Sequence, residues 1–245
     1  MENDHPVSIV LPMFNEKESI GAAIRNAAGF LSSRYAGSEI IVIDDGSTDG
    51  SFEVVEQLKK EFSSLKCIHF DKNKGIGRAL RTALGEAKNS IILYTDSDWP
   101  VSNDVLKEAF DLLNRENADL VVGYRKGKRE LFYRKVYSFL YNFFVRVVFG
   151  LGFKDTNCPL KLIRKKVIDN IILRSDGPFI DAELLVRSRN KGYKIVELVY
   201  LNIPRKSGHS KFNSFSGVIK AMSSTLIEMS KLAPELLSGG LKGVK

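Results

Sequence analysis

Asp96 and Asp98 are the acidic pair in this chain best placed to do chemistry. They stand one residue apart and follow directly on Ser90-Ile-Ile-Leu-Tyr-Thr95, an apolar, β-rich run. Two carboxylates so spaced at the carboxyl end of a strand can share a hard divalent cation, and such a cation can hold a diphosphate. Asp-x-Asp alone is weak, since two acids in a loop more often face solvent in a turn. Position is what separates the cases, because ligands of open α/β sheets bind beyond the carboxyl ends of the strands.

Two other stretches have the chemistry to hold phosphate. Arg205-Lys-Ser-Gly-His-Ser-Lys211 is basic and built of small residues. It reads either as a solvated linker or as a clamp whose charged donors grip a phosphate and whose Gly208 supplies a hinge. Gly75-Ile-Gly77 is a weaker signal, a turn into a helix whose glycines also permit close approach of backbone to a ligand.

The elements that must position these residues alternate along the chain. An apolar run from Val7 to Leu11 is closed by Pro12, which predicts a strand ending there. Further strands are predicted over Glu39–Asp44, Lys66–Phe70, 90–95 and Asp119–Gly123, with helices over Glu16–Leu31, Asp49–Phe62, Gly75–Ala87 and Asn103–Arg115 between them. Later come short strands at Pro159–Ile163 and Lys194–Ile203, with a mainly helical Pro178–Lys191 between. The alternation predicts an α/β fold, a mostly parallel sheet covered on both faces. The turn after the first strand, Pro12-Met-Phe-Asn-Glu16, is neither a dinucleotide-binding fingerprint nor a P-loop.

The stretch Leu131–Phe153 is crowded with aromatic and aliphatic residues but interrupted by Arg134, Lys135 and Arg146. That is costly for a membrane span, suits a helix lying in a membrane interface, and is also compatible with a buried amphipathic helix. A second amphipathic stretch, 214–232, carries Phe215, Val218, Ile219, Met222, Leu226, Ile227 and Met229 at helical spacing. The expected organisation is one catalytic domain over 1–212, including the interfacial helix 131–153, followed by a C-terminal amphipathic helix and tail over 213–245.

At 245 residues, with 44% hydrophobic and 27% charged content, the chain is an ordinary folded one. A net charge of +8 favours anionic partners: nucleic acid, phosphate-bearing substrates or an acidic membrane surface. Two distant cysteines, Cys67 and Cys158, ask for no disulfide framework and no zinc site, so reduced thiols in a cytoplasmic protein are expected. The polar N-terminus, Met-Glu-Asn-Asp-His-Pro, does not read as a signal peptide.

Four segments in order, Val7-Ser-Ile-Val-Leu-Pro-Met-Phe-Asn-Glu16, Ile43-Asp-Asp-Gly-Ser-Thr-Asp49, Lys74-Gly-Ile-Gly77 and Asp96-Ser-Asp98, resemble the family 2 glycosyltransferases of the GT-A fold. Further on, Gly123-Tyr-Arg125, Asp155-Thr-Asn-Cys158 with Lys161, and Pro204-Arg with Ser210-Lys211 resemble the polyprenyl-phosphate (dolichyl-phosphate) hexose synthases of that family. The resemblance implies a GT-A nucleotide-sugar-binding fold with C-terminal amphipathic interface helices. It implies that Pro12, Phe14, Glu16, Ile43 and Asp45 hold the nucleotide's base and ribose with Gly75 alongside. It also implies that Asp96, Ser97 and Asp98 meet the diphosphate, Asp96 and Asp98 holding Mg2+ or Mn2+. Arg125, Arg134 and Ser138, with Arg205 and Lys211, fall where the lipid phosphate is received. Asp96, Asp98, Arg125 and Arg134 are thus the implied catalytic set. Two positions depart from the pattern: Phe14 stands for a more usual Tyr, and Pro100 stands where mannosyl members often carry Gln.

The implied activity is inverting transfer of a hexose from a nucleotide sugar to polyprenyl or dolichyl phosphate, on the cytoplasmic face of a membrane to which the chain binds peripherally. UDP-glucose is favoured over GDP-mannose because the 155–158 segment is closer to the glucose synthases. A phosphate acceptor is ionised at neutral pH and needs no protein base. The alternative, a hydroxyl acceptor in polysaccharide or glycolipid synthesis, does need one, and Asp181 and Glu183 lie where such a base occurs. A nucleic-acid-binding module accounts for the charge but not for the ordered acidic motifs, so no nucleic-acid partner is expected.

Overall fold

A computed structural model describes residues 5–32, 35–127, 132–201 and 215–240, with the backbone alone at 132–134, 137, 215–218, 220–221 and 239–240. The elements run β1 (Val7–Met13), α1 (Ile20–Ser32), β2 (Glu39–Asp44), α2 (Ser51–Leu58), β3 (Leu65–His69), α3 (Ile76–Glu86), β4 (Ile91–Tyr94), α4 (Asn103–Arg115) and β5 (Leu120–Lys126). They continue as α5 (Phe132–Phe149), β6 (Lys161–Arg164), α6 (Lys165–Asp169), α7 (Ile180–Asn190), β7 (Ile195–Leu201) and α8 (Phe215–Gly240). The strands form one sheet in the order β3-β2-β1-β4-β6-β5-β7. All neighbours pair in parallel except β6, which runs antiparallel to both β4 and β5.

Strand alternation divides the core in two. Val7, Ile9, Leu11 and Met13 of β1 face a layer containing Ile20, Ile24, Leu106 and Leu113 of α1 and α4. Val10, with Ile41, Ile43 and Ile92 of the neighbouring strands, faces Leu80, Leu84, Leu184 and Leu185 of α3 and α7. A sheet covered on both faces demands continuous apolar strands, which is why β1 and β2 are buried at every position. The buried Ser8 is satisfied at the amino ends of the strands, donating to Glu39 (2.7 Å) and accepting from the Asn89 backbone (3.1 Å).

The predicted strand end at Pro12 is corrected by the structure: β1 continues to Met13, with Pro12 opposite Ile43. The reason lies in which neighbour each residue faces. Val10 accepts from Thr95 on the β4 side, whereas Met13 accepts from Asp45 on the β2 side. Pro12 therefore turns its missing N–H toward β4, where strand pairing has already ended at Val10 opposite Tyr94. The short α6 was not expected from the sequence.

The two amphipathic stretches form α5 and α8, which pack against each other, and α8 also packs on α7. Each has an inner and an outer face. Tyr141, Val145 and Phe149 of α5 and Leu236 of α8 are buried, while Phe139 (69% exposed), Phe143, Val147, Ile219 and Ile227 face outward. Among the described residues no helix is long and apolar enough to cross a membrane.

Gly123 in β5 is a close-approach position. A Cβ there would lie 2.6 Å from Cys158 Sγ and 2.8 Å from a Tyr200 ring carbon. Gly123→Ala is expected to cost about 1–3 kcal/mol through overpacking. A urea midpoint lowered at constant slope is the measurement, and an unshifted midpoint would mean that Cys158 and Tyr200 yield freely.

Candidate active site

The parallel strands deliver their carboxyl ends to one edge of the sheet, and the acidic loops gather there. After β2, Asp45 is buried and its two oxygens accept from the backbone N–H groups of Lys74 (2.6 Å) and Gly75 (3.1 Å). Asp44 accepts from the backbone N–H of Ser47 (3.0 Å) and sits 2.8 Å from His69 Nδ1. The loop after β1 is stitched to the loop after β2. Asn15, at a φ of 54°, accepts from Thr48 N–H (2.8 Å) and donates its own N–H to Ser47 Oγ (2.8 Å), while Glu16 N–H donates to Ser51 Oγ (2.8 Å). Burial alone would push the Asp49 carboxyl up, but the donors on Ser51 and the Lys17 backbone outweigh it and hold it below the usual range. Pro12, Phe14, Glu16, Ile43, Asp45 and Gly75 are thus brought to one corner, with Phe14 and Glu16 half-buried.

Asp96, Ser97 and Asp98 follow β4, next to β1 in the sheet. The turn is tight: Trp99 N–H donates to the Asp96 carbonyl (3.0 Å), and Trp99, only 8% exposed, sits at a φ of 50°. A bulky residue in that region costs about 1–3 kcal/mol, and packing of the indole into the core holds it there. Asp96 and Asp98 are half-buried rather than sealed. Among the described residues no three His, Cys, Asp or Glu side chains gather to form a metal cage. Two half-buried hard carboxylates at a strand end nevertheless fit the habit of Mg2+ and Mn2+, which would take further ligands from a substrate's own oxygens.

The antiparallel β6 adds a second cluster at the same edge, because its amino end lies beside the carboxyl ends of β4 and β5. Lys161, opposite Tyr94 and Val122, has no exposed surface. Its Nζ is paired with Asp181 of α7 (2.6 Å), donates to the Cys158 carbonyl (2.7 Å) and lies 5.2 Å from the centre of the Tyr94 ring. Burial raises the Asp181 carboxyl above its ordinary value, against the pull of Lys161. Burial, with Asp181 and Asp96 close by, likewise raises the Tyr94 phenol.

Arg125, at the carboxyl end of β5, holds Asp155 in a two-pronged pair (2.8 and 3.2 Å) and also donates to the Asn157 carbonyl (3.2 Å). Burial works against its charge, but the Asp155 pair prevails and raises its pKa. Among the described residues these bonds use three of the five guanidinium N–H groups, the one on Nε and the two on Nη2. Thr156 N–H donates to Asn142 Oδ1 (3.2 Å), and Asn142 Nδ2 donates to the Ser138 carbonyl (2.7 Å), which ties α5 to the loop that grips Arg125. Arg134 lies in the first turn of α5, but its side chain is outside the described ones, and Arg205 and Lys211 lie outside the described residues.

Sequence reasoning placed Asp155 and Lys161 in a motif without assigning them a site role, and gave Asn142 none. Lys161 had a legible signal, a single charge in the apolar run Pro159-Leu-Lys-Leu-Ile163. Asn142 had no such signal.

The model described as Glycosyl transferase family 2 matches residues 8–172. The dodecaprenyl-phosphate galacturonate synthase of Rhizobium johnstonii is 28% identical over 84% of this chain and 61% of its own length. The undecaprenyl-phosphate 4-deoxy-4-formamido-L-arabinose transferase of Aeromonas hydrophila is 24% identical over 95% of this chain and 72% of its own. This chain therefore spans less than two thirds of the first of these relatives. The glucosyl-3-phosphoglycerate synthase of Mycobacterium tuberculosis, solved with Mn2+ and UDP-glucose, superposes with a TM-score of 0.66 at 17% identity, covering 91% of this chain and 78% of that one. The shared architecture is the GT-A fold.

Removing one member of the buried Lys161–Asp181 pair leaves the other charge uncompensated. Asp181→Leu alone and Lys161→Met alone are each expected to destabilise the fold by about 3–5 kcal/mol, and the Lys161→Met, Asp181→Leu double variant by much less. Urea unfolding of the four proteins in the cycle measures this; strictly additive losses would mean the two groups do not interact.

Proposed function

The chain belongs to glycosyl transferase family 2, and from that premise we propose that it transfers a hexose from a nucleotide sugar to a polyprenyl or dolichyl phosphate, making a lipid-phosphate-linked sugar that serves as a donor in later glycosylation. Phe14, Glu16, Asp45 and Gly75 would receive the nucleoside, with Pro12 and Ile43 beneath. Asp96 and Asp98 would hold Mg2+ or Mn2+, which when bound supplies charge neutralisation for the leaving diphosphate. The Nη1 side of Arg125, with Arg134 and Ser138, would receive the acceptor phosphate, and Arg205 and Lys211 extend that set. An ionised phosphate oxygen attacks the anomeric carbon without surrendering a proton to the protein, so the chain's work is alignment and charge stabilisation, and in-line attack inverts the configuration.

One observation carries the choice of acceptor. The helix that turns Phe139, Phe143 and Val147 outward is the helix that Asn142 bonds to the loop gripping Arg125. An apolar surface joined to a cation at the site suits a nucleophile that is a phosphate on a lipid. Both relatives bear the names of enzymes acting on prenyl phosphates, in support of this reading. They handle different sugars, so glucose, favoured here over mannose, rests on the 155–158 segment alone. We place the chain peripherally on the cytoplasmic face. There thiols such as Cys67, pushed up to about 12 chiefly by burial, and the buried Cys158 stay reduced.

The position of Asp181 favours a second reading, transfer to a hydroxyl. Its raised carboxyl lies near Tyr94, two residues before Asp96, as a general base would. UDP- and GDP-sugars offered with polyprenyl phosphate or with a soluble sugar acceptor, and scored by radiolabel in the lipid phase, separate the readings. Label is expected in lipid from UDP-glucose, lost in excess chelator and reduced at least a hundredfold in Asp98→Asn with unfolding unchanged. Turnover only on the soluble sugar would replace the proposal with its rival.

Sedimentation with anionic phospholipid vesicles tests the outward face. The Phe139→Ser, Phe143→Ser double variant is expected to bind about tenfold more weakly or worse, since each buried phenyl ring contributes about 1.5–3 kcal/mol. Equal binding by wild type and variant would show that α5 does not enter the interface.

A further inference from the structure

A heavily bonded carboxylate sits far along the chain from any motif, on α8. Glu228 Oε1 accepts from the backbone N–H groups of Asp176 (3.0 Å) and Gly177 (2.7 Å), and Oε2 accepts from Ser175 Oγ (2.7 Å). Glu183 of α7 accepts from the backbone N–H groups of Arg174 (2.9 and 3.0 Å) and Ser175 (2.8 Å). Four successive backbone N–H groups, 174 to 177, are therefore held by two carboxylates from two helices. Bonds to a charged acceptor are the strong kind, and a loop held this way has little freedom.

The other side of this loop presses on the turn that carries Gly75 and Gly77. The Asp176 carbonyl accepts from Gly77 N–H (2.9 Å) and Arg78 N–H (3.3 Å). Arg81 of α3 returns the contact, donating to the Arg174 carbonyl (2.5 Å) and to Asp176 Oδ1 (2.6 Å). The approach is so close that a Cβ on Gly75 would lie 2.2 Å from the Asp176 oxygen, and one on Gly77 2.5 Å from the Ser175 oxygen. The same turn gives its Lys74 and Gly75 N–H groups to Asp45. A continuous chain of contacts thus runs from Glu228 through the 174–177 loop and the 74–77 turn to Asp45.

We propose that Glu228 is a positioning residue for the nucleotide-sugar donor, acting through the 174–177 loop to fix the 74–77 turn and with it Asp45. The C-terminal helix thereby completes the donor site as well as contributing an outward apolar face. The proposal rests on reading Asp45 and Gly75 as donor-binding groups. Gln at 228 keeps one acceptor oxygen for the backbone N–H groups but loses the charge, whereas Ala loses every bond; the effect should be graded in that order.

The experiment measures binding of UDP and of GDP with Mn2+ by calorimetry, and amide hydrogen exchange of the ligand-free protein, for wild type, Glu228→Gln and Glu228→Ala. Wild type is expected to bind one of the nucleotides. Glu228→Ala should bind it at least tenfold more weakly, with Glu228→Gln intermediate, and the amides of Gly77 and Arg78 should exchange about tenfold faster in the Ala variant. In turnover, the KM for the sugar nucleotide should rise while kcat at saturation and the KM for polyprenyl phosphate stay within about twofold. A merely structural role would lower the unfolding midpoint and the active fraction without moving the donor KM. Should Glu228→Ala fail to fold, Ser175→Ala, which removes the hydroxyl's bonds to Glu228 (2.7 Å) and to the Gly177 carbonyl (3.3 Å) but leaves the backbone N–H bonds, is expected to show the same effect in smaller measure. Wild type that binds neither nucleotide would remove the donor reading itself; wild type and all variants binding alike would overturn the proposal while leaving that reading in place.

Discussion

Lys161 is the residue to which the rest of the structure has had to adjust. An ammonium group with no exposed surface costs several kcal/mol in lost hydration unless it is matched in place. Here it is matched by Asp181, by the Cys158 carbonyl and by the face of Tyr94. Each partner comes from a different part of the chain: the start of α7, the loop before β6, and the last residue of β4. Satisfying one cation therefore fixes how the antiparallel strand enters the sheet and where α7 begins. The fixed points then determine the site. Tyr94 stands two residues before Asp96, and the 155–158 loop carries the partners of Arg125.

Charge is distributed to match. The acids collect at the carboxyl ends of β2 and β4, where Asp44 and Asp45 accept from loop N–H groups and Asp96 and Asp98 follow the strand. The two most buried cations of the second cluster are each balanced by a carboxylate, Lys161 by Asp181 and Arg125 by Asp155. These balanced pairs add no net charge, so the excess of +8 comes from the other residues of the chain, and it adds long-range attraction to anionic partners.

The parallel part of the fold was legible because its strands are sealed on both faces, so Glu39–Asp44 and 90–95 announce themselves as unbroken apolar runs, and Ser102 caps a helix whose limits, Asn103 and Arg115, were read without error. The residues of the corner proposed for the donor could be brought together from the sequence for a related reason: they sit within a few positions of those strand ends. What escaped was everything defined by contact between distant segments. Pro12 was misread as a stop because only the sheet order shows that its nitrogen faces an open side. Glu228 looks like one charged residue on an amphipathic helix until the 174–177 loop is folded beneath it, and Asn142 looks like a polar interruption in an aromatic helix until Thr156 is brought to it.

The state of Asp181 bears on which kind of acceptor such a site can serve. To act as a base a carboxylate must take a proton, and burial makes that easier by raising its pKa. But protonation here would also leave the Lys161 ammonium, 2.6 Å away and fully buried, without its counter-charge. In a low-dielectric interior that loss is large, and the two effects oppose each other at the same oxygen. A carboxylate committed to holding a sheet lysine serves better as a fixed negative charge than as a group that must change its charge in every turnover. A phosphate acceptor asks nothing more of it, since the nucleophile arrives ionised. The packing that makes Lys161 tolerable is thus consistent with chemistry in which no protein group needs to accept a proton.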